Sequence, residues 1–390
     1  MHLLFATSIV PDGALASGYE IANAAIIAAL RRAGVRVTVI GFTWPGKAAA
    51  DPQNTIVLGP VDVRTDNASA AQKLAWVAKA YRTGLTFASA KLRVVAEAEV
   101  EAAIRRAGPF DGYVLNSVQF AGAFEDLVAA RPSIFVAHNV EHLSAHENAE
   151  AARDLPERLL YRRESRLLKA LEERLCRRAR FVFTLAEEDR AALGVGSDER
   201  SAVLALTTRP EAPVRHKRRI ECDAALIGTW TWQPNRIGLD WFLDRVVPHL
   251  RPDFRIRIAG SVPAGMKSPH PGVSFVGRVP DAQAFVRSAA VVPLISTAGS
   301  GVQLKTIETF ELGLPSVATS RSLRGIGYRP ENCVVADDPT AFAAALEAAV
   351  AGRPADADGA SFHRHQIRAL DRAIGRGLAM LEPARQEIPA

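Results

Sequence analysis

Short apolar runs alternate with amphipathic, helix-period segments along most of this chain, a pattern that predicts parallel βαβ units. In the first half His2–Ala6, Val35–Ile40, Thr55–Leu58, Gly112–Leu115, Ser133–Val136 and Phe181–Thr184 read as strands. Tyr19–Ala33 reads as a helix between the first two, with Gly34 as its stop. Arg158–Arg180 reads as a long helix dense in charge. The second half repeats the alternation, with strands at Ala224–Ile227, Arg255–Ile258, Val273–Phe275, Val291–Leu294, Ser316–Thr319 and Cys333–Val335. Two doubly wound parallel sheets are expected. The break between them falls in Thr207–Arg219, which holds two prolines and five basic residues and shows no hydrophobic period. Open sheets of this kind bind ligands outside the carboxyl ends of their strands, so two facing sheets would leave a site in the cleft between them.

Length and composition agree with two domains. A chain of 390 residues, 48% hydrophobic and 23% charged, can bury two ordinary cores and has the balance of a soluble globular protein. A formal charge of +6 favours anionic partners, among which charge alone does not choose. Cys176, Cys222 and Cys333 are widely spaced and form no C-x-x-C pair, which predicts reduced thiols in a cytosolic setting. No run reaches the roughly 18–20 apolar residues of a membrane span. Met1–Ala6 lacks a basic n-region and ends at Pro11-Asp12-Gly13, so it reads as a buried strand and not as a secretion signal.

The chemistry concentrates in Thr297–Gly313. An apolar run, Val291–Ile295, leads into Gly299-Ser300-Gly301 and then an amphipathic helix, Val302–Leu312. A glycine-rich strand-to-helix turn offers backbone N–H groups and the positive end of a helix dipole to an anion. Lys305 and Glu308, three apart, can share one helix face. The lysine suits a phosphate and the glutamate suits sugar hydroxyls. An ordinary turn before a helix with a solvated ion pair would give the same local pattern.

Wider context separates the two. Gly299-Ser-Gly-x-x-x-Lys305-x-x-Glu308 followed by Glu311–Thr319 resembles the donor-site signature of family 4 glycosyltransferases. Leu226-Ile-Gly-Thr-Trp-Thr-Trp-Gln-Pro-Asn235, with Gly238 and Trp241–Leu243, resembles the first strand and helix of that family's donor domain. Val273–Val279 resembles its nucleotide-base loop, Val136–His142 its central histidine motif, and Arg174–Arg178 through Thr184–Asp189 the end of its acceptor domain. The matches run in the family's order over most of the chain.

The resemblance implies the GT-B fold: α/β, with two facing Rossmann-like doubly wound domains and a C-terminal helix crossing back to the first. It assigns 1–208 to acceptor binding, 209–361 to donor binding and 362–390 to the helical tail. It implies a retaining, metal-independent glycosyltransferase of bacterial-type surface polysaccharide or glycolipid assembly. Such an enzyme moves a sugar from a nucleotide-diphosphate-sugar to a hydroxyl of a glycan or lipid-linked acceptor, with no cofactor and no nucleic-acid partner. The residues it brings forward as catalytic are His138, Lys305 and Glu308. Donor binding would involve Gly228, Thr229, Arg236, Gly277, Arg278, Val279, Gly299, Ser300, Gly301 and Val302 as well as Lys305 and Glu308. His138, at a strand's carboxyl end, could donate to a sugar hydroxyl. Ser17 and Gly18, in the loop after the first strand, would face the acceptor.

Two positions depart from the family. Ser300 stands where a second glutamate is frequent, and Thr229 follows Gly228 where an arginine is frequent; Arg236 lies near enough in sequence to replace it. A nucleotide-sugar epimerase of the same fold, or a catalytically silent nucleotide-sugar-binding or scaffold protein, therefore stays open at this point. Other chemistries are disfavoured. His142 and His146 have i,i+4 spacing, but Leu143 stands where a zincin has glutamate. Asp356-Ala-Asp358 spells D-x-D in a Gly/Pro/Ala loop far from the donor motif, and no P-loop or G-x-G-x-x-G follows the first strand. The basic stretch Arg158–Arg180 carries a leucine stripe, so its cationic face is either solvated or set against an anionic membrane. The expected location is cytoplasmic, including a peripheral position on the membrane's inner face.

Overall fold

The computed structural model describes residues 1–14, 17–65, 68–152, 154–214, 217–263 and 265–381. Parts of the Thr7–Gly18 loop and of the Thr207–Arg219 linker, and the expected tail beyond Leu381, lie outside the described residues. The chain divides into two compact units, Met1–Leu204 with the residues from Ala369 on, and Ala205–Arg368.

The first unit holds a seven-stranded sheet ordered β3-β2-β1-β4-β5-β6-β7. Its strands are β1 (His2–Ile9), β2 (Arg36–Thr43), β3 (Thr55–Pro60), β4 (Gly112–Asn116), β5 (Ser133–Ala137), β6 (Phe181–Thr184) and β7 (Ser201–Val203). The second holds a six-stranded sheet ordered β10-β9-β8-β11-β12-β13. These are β8 (Cys222–Thr229), β9 (Ile256–Ser261), β10 (Val273–Gly277), β11 (Ala289–Leu294), β12 (Ser316–Ala318) and β13 (Cys333–Val335). Every pairing is parallel. In each sheet the strand order reverses beside the first strand, between β1 and β4 and between β8 and β11. Those reversals are where doubly wound sheets open a ligand crevice.

Each apolar run read as a strand forms one, and β7 is the addition. Burial explains the reading: β1, β4, β5 and β6 are buried along their whole length, as helix-covered parallel strands must be. Several strands run past the end of the apolar run: β1 continues through Thr7 and Ser8 to Ile9, β2 to Thr43, and β8 to Thr229.

Local signals set the helix ends. Ser17 caps the Gly18–Arg32 helix by accepting from the Glu20 N–H at 3.3 Å, and Glu20 accepts from the Ser17 N–H at 2.8 Å. Gly34, at φ 78°, follows its last turn. The helix Glu141–Ala151 is capped from outside, because the buried Glu172 carboxylate accepts the N–H groups of Glu141 and His142 at 2.8 and 3.3 Å. Burial and that neighbouring carboxylate push Glu141 up to about 7. The cysteines are free, buried thiols, and burial pushes Cys176 up to about 12 and Cys222 to about 11.

The long basic segment is the helix Leu155–Arg178, with Leu168, Leu171, Leu175 and Cys176 in the core. Its cationic face is not uniform. Arg163 is withdrawn from solvent: its Nη2 donates to the Ala80 carbonyl at 2.8 Å and its guanidinium lies 4.3 Å from the Tyr81 ring centroid. Arg174 and Arg178 share Glu125. Arg162, Arg166, Lys169, Arg177 and Arg180 remain exposed. Among the described residues no helix is long and apolar enough to cross a membrane.

The last helix, Gly359–Leu381, serves both units. Phe362 packs edge-on against Phe310 in the second unit, with centroids 5.4 Å apart. From Ala369 on the helix belongs to the first unit, where Leu370 and Ile374 are buried and Arg32 pairs with Asp371 at 2.6 Å. A Cβ on Gly377 would come within 2.6 Å of the Phe183 ring.

Candidate functional site

In the second unit a pocket opens at the carboxyl ends of β8 and β11, at the point where the strand order reverses. Leu226, Ile227, Trp230 and Ile295 form its apolar wall, and Lys305 and Glu308 enter from the helix Leu304–Glu311. That helix starts later than expected. Gln303 is its N-cap, so Val302 joins Gly299-Ser300-Gly301 in the turn ahead of it. The glycines still have a conformational reason: Gly299 and Gly301 take φ of 90° and 76°, and a Cβ on Gly299 would sit 3.1 Å from Pro234.

Lys305 is half-buried, with Nζ 4.8 Å from the Trp230 ring centroid and no carboxylate in ion-pair range among the described residues. Trp230 is held by its indole N–H, which donates to the Ala259 carbonyl at 2.8 Å. Burial pulls the lysine down to about 8, so near neutral pH it remains a cation stabilised chiefly by an aromatic face. Gly228 makes room for it, because a Cβ there would lie 2.7 Å from Nζ. An anion would supply the missing partner.

Glu308 does not pair with Lys305. Its Oε1 accepts from Gln283 Nε2 at 3.0 Å and lies 3.7 Å from Arg209 Nη2. Burial pushes its carboxyl up from the ordinary range; the Gln283 hydrogen bond and the Arg209 charge pull it back, while Glu311 and Asp281 add to the rise. Arg209 belongs to the stretch read as a linker, yet it approaches two carboxylates of this helix, with Nε 3.5 Å from Glu311 Oε2. Glu311 is completely buried and accepts from the Thr208 N–H and hydroxyl and from His363 Nδ1 at 3.0 Å.

The remaining donor-side candidates are not gathered there. Arg236 pairs with Asp240 on its own helix at 2.7 Å and is not among the residues lining the pocket. Thr229 is exposed, and its carbonyl accepts from Asn235 Nδ2 at 3.0 Å. Gly277, Arg278 and Val279 lie at and beyond the end of β10, outside the pocket lining, as do Ser300 and Val302.

In the first unit His138 follows β5 and is buried at 7% exposure. Its Nε2 lies 2.8 Å from Asn116 Oδ1, and the Tyr19 ring sits 5.0 Å away, centroid to centroid. Asn116 closes β4, beside the order reversal. Ser117, next to it, takes φ 73°, a left-handed conformation that serine rarely adopts. Burial holds the imidazole down to about 4, so the ring is neutral at physiological pH. Ser17 is spent on its helix cap, and Gly18 is the first residue of that helix. His142 Nδ1 is 2.6 Å from Glu172, whereas His146 is exposed beside Glu150. Asp356 pairs with Arg218 at 2.7 Å, and Asp358 accepts from the Ser361 N–H at 3.0 Å, so each carboxylate of the D-x-D already has a structural partner.

Sequence reasoning missed Arg209, Gln283, Tyr19 and Asn116, and gave Glu311 a place in the signature without a partner or a role. One signal existed: Ile307, Phe310, Glu311 and Leu314 form an i, i+3, i+4, i+7 stripe, and a glutamate inside such a stripe needs a buried partner. Nothing distinguishes Arg209 from the other basic residues of its stretch.

Residues 222–351 match the family Glycosyl transferases group 1. Comparison with curated proteins by sequence gives no match. Among solved structures the chain is similar to sucrose-phosphate synthase from Thermosynechococcus elongatus, at 15% identity over 97% of each chain with a TM-score of 0.60. It is similar to the pneumococcal O-GlcNAc transferase GtfA, solved with UDP and GlcNAc, at 10% identity over 98% of this chain and 99% of that one, TM-score 0.60. HepE from Anabaena, solved with UDP, aligns at 14% identity over 97% of this chain and 100% of that one, TM-score 0.55. At these identities the likeness establishes the fold: two Rossmann-like parallel-sheet domains of the GT-B class, the second carrying the match to Glycosyl transferases group 1.

Proposed function

We propose that this chain is a retaining, metal-independent glycosyltransferase using a nucleotide-diphosphate-sugar donor and a hydroxyl acceptor on a glycan or lipid-linked carrier. One observation carries the reading. Lys305, a half-buried cation with no carboxylate partner among the described residues, shares a pocket with Glu308 within the segment that matches Glycosyl transferases group 1. Lys305 would neutralise the departing diphosphate, a preorganised charge in a partly dry site. Glu308 would accept hydrogen bonds from ribose hydroxyls. The donor's own phosphate oxygen would assist deprotonation of the acceptor, so no protein nucleophile is required. The phosphate charge would rest on Lys305 and on backbone amides after Gly299, with Arg236, which pairs with Asp240, as a weaker candidate. Two of the similar solved structures contain UDP, which makes a uridine donor the first to try.

The test is a thermal-shift screen of UDP-, GDP- and ADP-sugars, with and without EDTA, followed by hydrolysis and transfer assays on whatever binds. A donor should raise Tm equally in both buffers. Glu308→Ala should weaken its binding by the about 1.5–3 kcal/mol of hydrogen bonds to a charged acceptor. A protein that answers to no nucleotide-sugar, or only with a divalent ion, would not be this enzyme.

A lipid-linked acceptor fits a second surface. Leu155 and Leu159 are exposed at 63% and 54%, and with the exposed Arg162 and Arg166 they share one helical face. We propose that this face meets anionic lipid. Reversing Arg162 and Arg166 should abolish sedimentation with phosphatidylglycerol vesicles at low salt and spare activity on a soluble acceptor. Arg163 must stay, since its guanidinium holds the Ala80 carbonyl. Failure of the unaltered protein to sediment would leave the face simply solvated.

A further inference from the structure

We propose that Arg209 and Gln283 are positioning residues for the donor's ribose: together they hold the Oε1 side of the Glu308 carboxylate and leave Oε2 to a ribose hydroxyl. The ribose itself rests on the glycosyl-transfer reading; the hold on Glu308 does not. The hydrogen bonds run one way through the three side chains. Arg209 Nη1 donates to Gln283 Oε1 at 3.3 Å, and Gln283 Nε2 donates to Glu308 Oε1 at 3.0 Å. A guanidinium has donors only, so turning the Gln283 amide over would set its NH2 group against the Arg209 N–H groups. No hydroxyl stands in this relay to reverse it. The glutamine therefore offers an N–H to the carboxylate. Its main chain is pinned as well, because Asp281 accepts the N–H groups of Gln283 and Ala284, each at 2.9 Å, at the start of the helix Ala282–Arg287.

Glu308 Oε2 bonds to no group among the described residues, and Glu308 lines the pocket beside Lys305. Arg209 is not arranged as a structural ion pair. Its Nη2 stands 3.7 Å from Glu308 Oε1 and its Nε 3.5 Å from Glu311 Oε2, and both nitrogens are buried without a hydrogen bond. Its one hydrogen bond among the described residues goes to Gln283. A buried guanidinium left short of acceptors costs stability, and departures of that kind gather at functional sites. What it supplies is charge. Arg209 is the cation acting on Glu308, against Asp281 ahead of the Ala282–Arg287 helix and Glu311 on its own helix. Burial raises the Glu308 carboxyl, and the Gln283 hydrogen bond and the Arg209 charge pull it back toward the ionised form. Lys305, on the same helix, turns to Trp230 instead. An ionised carboxylate accepts hydroxyl donors more strongly than a neutral one, so the relay prepares Oε2 for a ribose.

The hold on Glu308 can be read in the ligand-free protein. In the full chain labelled with ¹⁵N, the Gln283 side-chain amide, assigned with Gln283→Leu, should shift with the Glu308 titration, and Glu308→Gln should abolish that dependence. Arg209→Met should move the midpoint up, because losing the cation favours the neutral carboxyl. An amide that ignores pH across about 4–8, or a midpoint that Arg209→Met leaves in place, overturns the positioning role. The ribose is tested with the tightest-binding of UDP, GDP and ADP against its 2′,3′-dideoxy analogue. The unaltered protein should prefer the ribonucleotide about tenfold or more, the scale of a hydrogen bond to a charged acceptor. Gln283→Leu and Arg209→Met should each remove most of that preference and leave affinity for the dideoxy analogue nearly unchanged. Equal losses for the two nucleotides would make both residues mere supports of the second unit and overturn the inference; Gln283→Leu decides it if Arg209→Met does not fold. If none of the three diphosphates binds, the donor reading falls and the ribose with it, while the spectrum still decides whether Arg209 and Gln283 hold Glu308.

Discussion

Replacing Lys305 with methionine is expected to lower turnover about a hundredfold, the scale of losing one preorganised electrostatic donor. The ligand-free protein should be no less stable for it. The ammonium makes no ion pair that the substitution would break, and it lies over the Trp230 ring, an apolar surface that methionine can cover. The pH dependence gives a second check. Burial brings Lys305 from the ordinary 10.5 down to about 8, so between those values the unfolded chain binds more protons than the folded one. Stability attributable to this group therefore rises with pH across that window. The variant's advantage in denaturant should be full below pH 8 and fade as the pH rises above it. A variant with unaltered kcat/KM, or one equally destabilised at pH 7 and pH 10, would remove Lys305 from the role given to it.

Glu311→Ala is expected to destabilise the second unit by about 3–5 kcal/mol, the cost of leaving a buried charge without its partner. Arg209 would be that charge, left with Glu308 alone at 3.7 Å. Its Nε and Nη2 are buried and already lack good hydrogen bonds, and Glu311 is one of the two carboxylates beside it. The Thr208 N–H and His363 would lose their acceptor as well. Glu311→Gln, which keeps an acceptor and loses the charge, should fall between. Denaturant midpoints with an unchanged m-value would report this directly. A loss below about 1 kcal/mol for the alanine variant would place the network among incidental surface pairs.

The reach of the sequence follows from what periodicity records. Buried parallel strands are apolar throughout, so β1, β4, β5 and β6 announce themselves. The pattern stops where Thr7 and Ser8 begin, although the strand does not. Polar residues gather at the carboxyl ends because ligand crevices open there, so apolar periodicity shortens the strands on the side that matters for function. Three-residue β7, Ser-Ala-Val, carries too little pattern to register. For the pocket, spacing on one helix brought Lys305 and Glu308 forward. It could not show that Glu308 would turn to Gln283 and Arg209, 25 and 99 residues away, since partners on other elements leave no trace in local spacing. Arg236 illustrates the converse: its partner in the structure, Asp240, stands at i+4 on its own helix and is visible in the spacing.

The helix shared by the two units constrains the order in which this protein can mature on the ribosome. Leu370 and Ile374 are part of the first unit's core, and Gly377 lies against Phe183. Residues 1–204 therefore emerge with a vacancy that only the segment from Ala369 on can fill. The second unit, contiguous from Ala205 to Arg368, has no such dependence and can close first. Domains synthesised earlier usually fold earlier. Here the amino-terminal unit must wait half-finished for its last helix, and a chain stalled before residue 369 would hold a complete second unit beside a first whose apolar face is still open to chaperones or to aggregation.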